Sequence, residues 1–337
     1  MILRRFRNML ITILGIIVLN FFLVSLTGDP LSLISRAPNI SPNIRDNTCV
    51  RLGLCAWDAT GNATPLDLPT RFVNYGRNLL TGNMGTSFYW KDRPVVDVIF
   101  PALGWTLLLI GVSTVITILM GMAVGAVSAQ HRGRAFDIMA TGFGLFFYGM
   151  PFFWLALVMQ LAFTRPQFDL NWWPVFPASL RYDITIDVFS WGRLDHLLSA
   201  FYHMVLPAAT LSIGTVAGVA LVMRNSLIDV MTEDYVVTAR AKGLPERLIL
   251  RRHVLPNGLP PMVTLIALDM AFIFGGAYQV EYVFSYEGIG WVTITAINAF
   301  DFPVLQFVVV LGGIAVVIAN FLADLVLLKI DPRIKVA

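Results

Sequence analysis

Three side chains able to hold a polar or charged solute stand in one apolar stretch of this chain: Asp269, Gln279 and Glu281. A carboxylate surrounded by lipid is costly, so Asp269 is expected to face a partner or an aqueous path. A ten-residue step is about 1000° of helical rotation, about 80° short of three full turns, so Asp269 and Gln279 share a broad face. Glu281 lies toward the outer end of the same stretch. Two readings stand open: a solute path, or an aspartate hydrogen-bonded between helices. The two cysteines, Cys49 and Cys55, lie outside the apolar runs. No cluster of further ligands surrounds them, so a metal site is not expected. A disulfide and a pair of buried thiols are the two readings for them.

Catalytic constellations are not found in the apolar segments. No paired aspartates, His-Glu-x-x-His or Gly-x-Ser-x-Gly lies in one, and His131, His196, His203 and His253 are dispersed. No Gly-x-x-x-x-Gly-Lys-Ser/Thr phosphate cradle occurs either. The expectation is a chain that is not an enzyme, has no catalytic residue and binds no cofactor itself. Residues Asp234–Asn257 offer a different chemistry. Arg240, Lys242, Arg247, Arg251 and Arg252 are interleaved with Leu244, Leu248 and Ile249 around Gly243, with Pro256 near the end. Basic and aliphatic side chains mixed on a short hairpin suit protein contact.

The elements that carry these residues follow from composition. The chain has 337 residues, 57% hydrophobic and 13% charged, with a net charge of +3. Soluble domains carry roughly 25% charged residues, so lipid is the natural solvent here. The mild charge and the lack of a basic tract exclude nucleic-acid binding. Six stretches approach the roughly 20 apolar residues that a bilayer core demands: about 9–26, 100–127, 138–163, 204–223, 262–284 and 304–328. The fold expected is an all-α integral membrane protein of six transmembrane helices. Residues 1–27 would hold the N-terminus and first helix, 28–99 an outer loop or cap, and 100–337 the core, with a cytosolic loop at about 224–257. The first apolar run exceeds a signal-peptide core and lacks a small-x-small site, so it is expected to be retained. With the N-terminus inside, the inner segments hold Arg4, Arg5, Arg7, Arg132, Arg134, Arg224, Lys329, Arg333, Lys335 and the hairpin's five cations. That satisfies the positive-inside rule and puts both termini in the cytosol.

Within the outer loop, Asp67 ahead of Pro69 predicts a capped helix through Leu80, stopped at Gly82. In the second outer loop Trp172, Trp173 and Trp191 suit the headgroup region. Gly121 with Gly125, Gly275-Gly276 and Gly312-Gly313 mark close helix contacts. In the hairpin, acidic Glu233 and Asp234 start a first helix and Arg240 and Lys242 end it, which suits the helix dipole. Gly243 stops that helix, and Pro245-Glu246 open a second, short one. An isolated helix of about ten residues is marginal in water, so its aliphatic side chains need a surface: the bundle's own inner end or another protein.

At this point a resemblance becomes specific. The hairpin resembles the cytoplasmic Glu-Ala-Ala loop of ABC importer permeases: a three-residue segment, three residues, Gly, nine residues, then x-x-Leu-Pro. Here these are Val237-Thr238-Ala239, then Arg240-Ala241-Lys242, Gly243 and His253-Val254-Leu255-Pro256. The name-giving Glu and first Ala are replaced. The run Thr238–Leu244 resembles the dipeptide/oligopeptide/nickel branch, and its first (B-type) permease subunit in particular. Asn78-Leu79-Leu80, Gly85-Thr86-Ser87-Phe88, Arg93-Pro94-Val95, Leu206-Pro207-Ala208, Gly288-Ile289-Gly290 and Asp331-Pro332-Arg333 are similar to that branch in the same order. The resemblance implies a type I importer permease fold and a pairing with a second, related permease. It also implies two cytosolic ATPase subunits, or one fused ATPase, holding ATP and Mg, and an extracytoplasmic binding protein. It implies a coupling helix at about 244–254, with Leu248 and Ile249 as apolar contacts. Arg240, Lys242, Arg247, Arg251 and Arg252, beside Glu246, would form its polar rim. Peptide is the solute expected, with nickel chelates, glutathione and oligosaccharides as alternatives. The rival mechanism is an ion-coupled secondary transporter working through buried carboxylates.

Overall fold

A computed structural model describes residues 2–26, 41–90, 93–164, 176–182, 194–262, 265 and 277–330. Asp269, Gly275, Gly276, Trp172, Trp173, Trp191 and most of the expected fifth span lie outside the described residues. In chain order the elements are α1 (Ile2–Leu26), α2 (Pro42–Arg51), β1 (Cys55–Trp57), β2 (Ala63–Pro65), α3 (Leu68–Thr81), α4 (Val95–Gln130), α5 (Ala135–Tyr148) and α6 (Phe152–Thr164). Then follow α7 (Leu194–Met231), α8 (Asp234–Ala241), α9 (Glu246–Ile249), a π-helical turn (Leu250–Val254), α10 (Leu255–Gly258), α11 (Tyr278–Val283), α12 (Ile289–Asn298) and α13 (Phe302–Ile330). The chain divides into two compact units. The first takes in residues 1–106, 274–278 and 287–321, the second residues 107–273, 279–286 and 322–337.

In the first unit, Val95, Ile99, Val292, Ala296, Val304 and Val308 form a buried cluster. Beside it one oxygen of a buried carboxylate is held by the loop that precedes α4. Asp301 Oδ2 accepts from the Ser87 hydroxyl at 2.5 Å and from the Phe88 and Tyr89 N–H groups, each at 3.1 Å. Gly313 lies against Ile16 of α1; a Cβ on it would come within 2.8 Å of Ile16 Cγ2. The expected helix in the 28–99 region is present as α3. Asp67 has extended backbone angles and accepts the Thr70 N–H at 3.4 Å, and Gly82 closes the helix at φ +71°. The Thr70 hydrogen bonds hold the Asp67 carboxyl below its ordinary range.

The loop also contains elements that periodicity did not announce. The antiparallel pair β1–β2 matches Cys55 to Pro65 and Trp57 to Ala63, with an Asp58–Asn62 turn. Cys49 and Cys55 are disulfide-bonded, so the thiol reading is set aside. Both are buried with Ala63 under Val50, Leu52, Leu54 and Phe88. The ring is short, six residues apart in sequence, and its chain-entropy contribution is about 2 kcal/mol. Replacing both cysteines by alanine is therefore expected to raise hydrogen-exchange rates in residues 42–66 by about 30-fold. Unchanged exchange would show that the cap is held by its other contacts alone.

In the second unit, α4 and α7 pack at the glycines. A Cβ on Gly125 would lie 2.4 Å from the Ala220 carbonyl, and one on Gly121 would lie 2.6 Å from Val219 Cβ. Lipid offers no hydrophobic drive for helix pairing, so such close backbone approach carries the packing. Thr117 and Thr215 join the same two helices at 2.9 Å, as does Ser212 with the Ser113 carbonyl at 3.1 Å.

Among the described residues, 4–23, 95–130 and 194–231 are each long and apolar enough to cross a membrane. The expected third span is not one straight helix. α5 and α6 are bent by 105°, and counted together they make a fourth candidate. Gly149-Met150-Pro151 explains the break. Proline cannot donate to the preceding turn and pushes the residue before it out of the helical region. Pro151 instead starts a new helix, accepting from Trp154 N at 3.0 Å and Leu155 N at 3.1 Å.

Candidate functional site: the hairpin after α7

The hairpin grows directly from the end of α7. Thr232 and Glu233 break that helix, and Glu233, extended at φ −69° and ψ 145°, opens α8. The reversal at Gly243 is a Schellman close. The Gly243 N–H donates to the Arg240 carbonyl at 2.9 Å, and the Leu244 N–H reaches back to the Ala239 carbonyl at 3.3 Å. Gly243 takes φ +76° with open space around its Cα. A β-carbon would meet no neighbour there; the left-handed backbone is the reason for glycine. Across the turn the Arg240 guanidinium donates to both Glu246 carboxylate oxygens, at 2.8 and 3.4 Å. Both side chains are well exposed, so this pair contributes at most about 1 kcal/mol and mainly orients the two helices.

The second arm opens at Pro245 and continues past the expected end at 254, through the π-helical turn and α10 to Gly258. In the π turn, the Leu255 N–H bonds to the Leu250 carbonyl, five residues back. An α-helix would set residues five apart about 140° round from each other. The extra residue brings Ile249 and Val254 to the same side. Both are buried there, in a cluster with Val236, Ala239, Met223 and Leu227. The Ser226 hydroxyl holds the Gly258 carbonyl at 2.8 Å, and a Cβ on Gly258 would strike Leu227. The bundle's own end, at the close of α7, therefore supplies the surface for this face.

Burial sorts the sequence-predicted residues. Arg240, Ala241, Lys242, Gly243, Glu246, Arg247, Arg251, Arg252 and Pro256 are exposed. Leu244 and Leu248 are half-buried, and Ala239 and Ile249 are buried. Ile249, expected as an apolar contact for a partner, is 0% exposed and is an anchor to the bundle instead. Exposed apolar surface comes from Tyr235 and Val237 on α8. Behind the hairpin, α5 and α7 are clamped by an ion pair. The Arg224 Nε and Nη2 donate to the two Asp137 carboxylate oxygens at 2.6 and 2.7 Å, and the Gly133 N–H adds a third bond at 2.8 Å. Sequence offers no signal for a pair 87 residues apart. The hairpin offers a basic, partly apolar surface for protein contact. Among the described residues no group of three or more His, Cys, Asp or Glu is placed to hold a metal ion.

The model of the binding-protein-dependent transport system inner membrane component family matches residues 121–336, well over half of the sequence. The chain belongs to that family. The hairpin lies inside the matched region of this permease, and the disulfide lies before it. The permease is 33% identical over 275 residues to the dipeptide transport system permease protein DppB of Alkalihalophilus pseudofirmus, covering 78% of this chain and 81% of that one. It is 31% identical over 352 residues to DppB of Escherichia coli strain K12, covering 99% and 98%. Against the oligopeptide transport system permease protein AppB of Bacillus subtilis strain 168 the identity is 29% over 338 residues, covering 99% and 98%. The permease is mostly helical and is an inner-membrane component by family.

Asp269 lies outside the described residues, Gln279 is exposed on α11, and Glu281 is fully buried within its unit.

Proposed function

We propose that this permease forms half of the translocation path of an ATP-driven importer for di- and oligopeptides. An extracytoplasmic binding protein delivers the solute. A second, related permease completes the path, and cytosolic ATPase subunits carry ATP and Mg. The chain itself catalyses nothing. In this reading six helices cross the membrane with both termini in the cytosol, so the hairpin faces the ATPases. The observation that carries the reading is the hairpin, a Schellman-closed elbow with a buried anchoring face and an exposed basic face. It lies in a chain similar along nearly its whole length to dipeptide and oligopeptide permeases. Leu248, Tyr235 and Val237 supply apolar contact, and Arg240, Lys242, Arg247, Arg251 and Arg252 supply the polar rim. Gln279 and Glu281, with Asp269, are the candidates for the path, and the buried Glu281 would become accessible when the helices rearrange.

The test is uptake into proteoliposomes holding the permease pair, its ATPases and its binding protein. Peptide accumulation is expected to require ATP hydrolysis and to persist when ion gradients are collapsed. Uptake driven by an ion gradient without ATP would replace this reading with a secondary transporter.

A further inference from the structure

Helix α3 has an apolar arc wider than the chain covers. On a helical wheel with Tyr75 at 0°, apolar side chains run from Tyr75 through Phe72 to Leu80 and Val73, roughly 160°. The Tyr75 and Phe72 end of the arc packs on α1, with Phe21 ring centroids 5.7 Å and 5.1 Å away respectively. The far end is bare: Val73 is 67% exposed and Leu80 89%. The opposite, polar side is roofed by the disulfide-closed loop. Asn74 donates to the Gly53 carbonyl at 2.9 Å and Asn78 to the Leu52 carbonyl at 3.2 Å. Arg77 is exposed and borders the bare strip on its polar edge.

The depth of α3 is set by the helices it touches. The Asn20 amide donates to the Tyr75 hydroxyl at 3.0 Å and to the Gln306 carbonyl at 3.3 Å. Asn20 lies six residues inside the end of α1 at Leu26 and Gln306 four residues inside the start of α13. At 1.5 Å per residue these positions are about 9 Å and about 6 Å below the helix ends. The middle of α3 is therefore level with the outermost turns of α1 and α13 rather than above them. On α1 at the same level, Leu19 and Leu23 are 59% and 57% exposed, as expected of side chains facing lipid.

We propose that α3 is a membrane-interface helix. Val73 and Leu80 insert among the acyl chains of the adjoining phospholipid leaflet, and Arg77 snorkels to the phosphate layer. The arc, the roofed polar side and the depth agree on this occupant. A water-facing helix would turn its polar side outward, not under the loop.

The test uses the full-length chain in vesicles of phosphatidylethanolamine and phosphatidylglycerol. Cys49 and Cys55 are paired, so single cysteines at Val73→Cys or Leu80→Cys can be spin-labelled without reductant. Ala59→Cys serves as the aqueous reference and Leu23→Cys as the lipid one. The labels at 73 and 80 are expected to collide with oxygen at least about 3-fold more often, relative to a water-soluble nickel chelate, than the label at 59 does. Nickel-chelate collision as frequent as at 59 would overturn the proposal, because the strip would then face water. Shielding from both reagents would also overturn it, because the strip would then be covered by protein.

Discussion

Leu248→Asp is expected to abolish ATP-driven uptake while the permease stays inserted and folded. Leu248 is half-buried at the second arm of the hairpin and takes no part in the cluster that anchors Ile249 and Val254. In the free chain an aspartate there can turn its carboxylate to water, so the fold loses little. Pressed into an apolar contact on an ATPase, the same carboxylate is desolvated without a partner, at a cost of several kcal/mol. At 1.4 kcal/mol per factor of ten, docking weakens by about 100-fold or more. Gly243→Asp is expected to act in the same direction with a smaller effect. Aspartate tolerates the left-handed conformation and nothing crowds the position, so the turn survives with a new charge at its tip. Ile249→Asp is the contrast. Its side chain has no route to water, and the variant is expected to fail in folding rather than in coupling. Normal transport by Leu248→Asp with its ATPases attached would end the hairpin assignment.

Arg224→Met is expected to be among the most destabilising single changes in the second unit. Asp137 is 3% exposed and its two oxygens receive three hydrogen bonds, two of them from Arg224. Removing one partner of a buried pair strands the other and costs about 3–5 kcal/mol. Arg224 keeps some solvent contact, which places the expected loss at the lower end of that range. The double variant Asp137→Asn, Arg224→Met removes both charges and is expected to recover most of the loss. Thermal unfolding of the purified permease in detergent, read for the wild type, both single variants and the double, gives the coupling directly. Equal melting of the single variant and wild type would show that the pair contributes nothing.

Local rules made several elements legible in the sequence. The Asp67 cap, the Gly82 stop and the Gly243 reversal each depend on a few neighbouring residues, and each is present where those residues predict it. Hydropathy located the first, second and fourth spans but missed the break in the third. A window average does not register Gly149-Met150-Pro151 as a corner. Burial on the hairpin was only half legible. Leu248 and Ile249 look alike in sequence, and an unforeseen π turn helps to decide which faces inward. Ser87 with Asp301 and Arg224 with Asp137 are contacts across 214 and 87 residues, for which one sequence holds no record.

The corner at Gly149–Pro151 also bears on arithmetic. A chain that crosses a membrane an even number of times finishes on the face where it began. Counting α1, α4, the bent pair and α7 as four crossings returns the hairpin to the face of Arg4, Arg5 and Arg7. If the bent pair doubled back instead, the count would be odd, and five cations would arrive on the opposite face, against the bias that orients membrane chains. On the reading that the hairpin shares a face with Arg4, Arg5 and Arg7, the 105° elbow would complete its passage, and parity would tie the tripeptide between α5 and α6 to the address of every loop that follows.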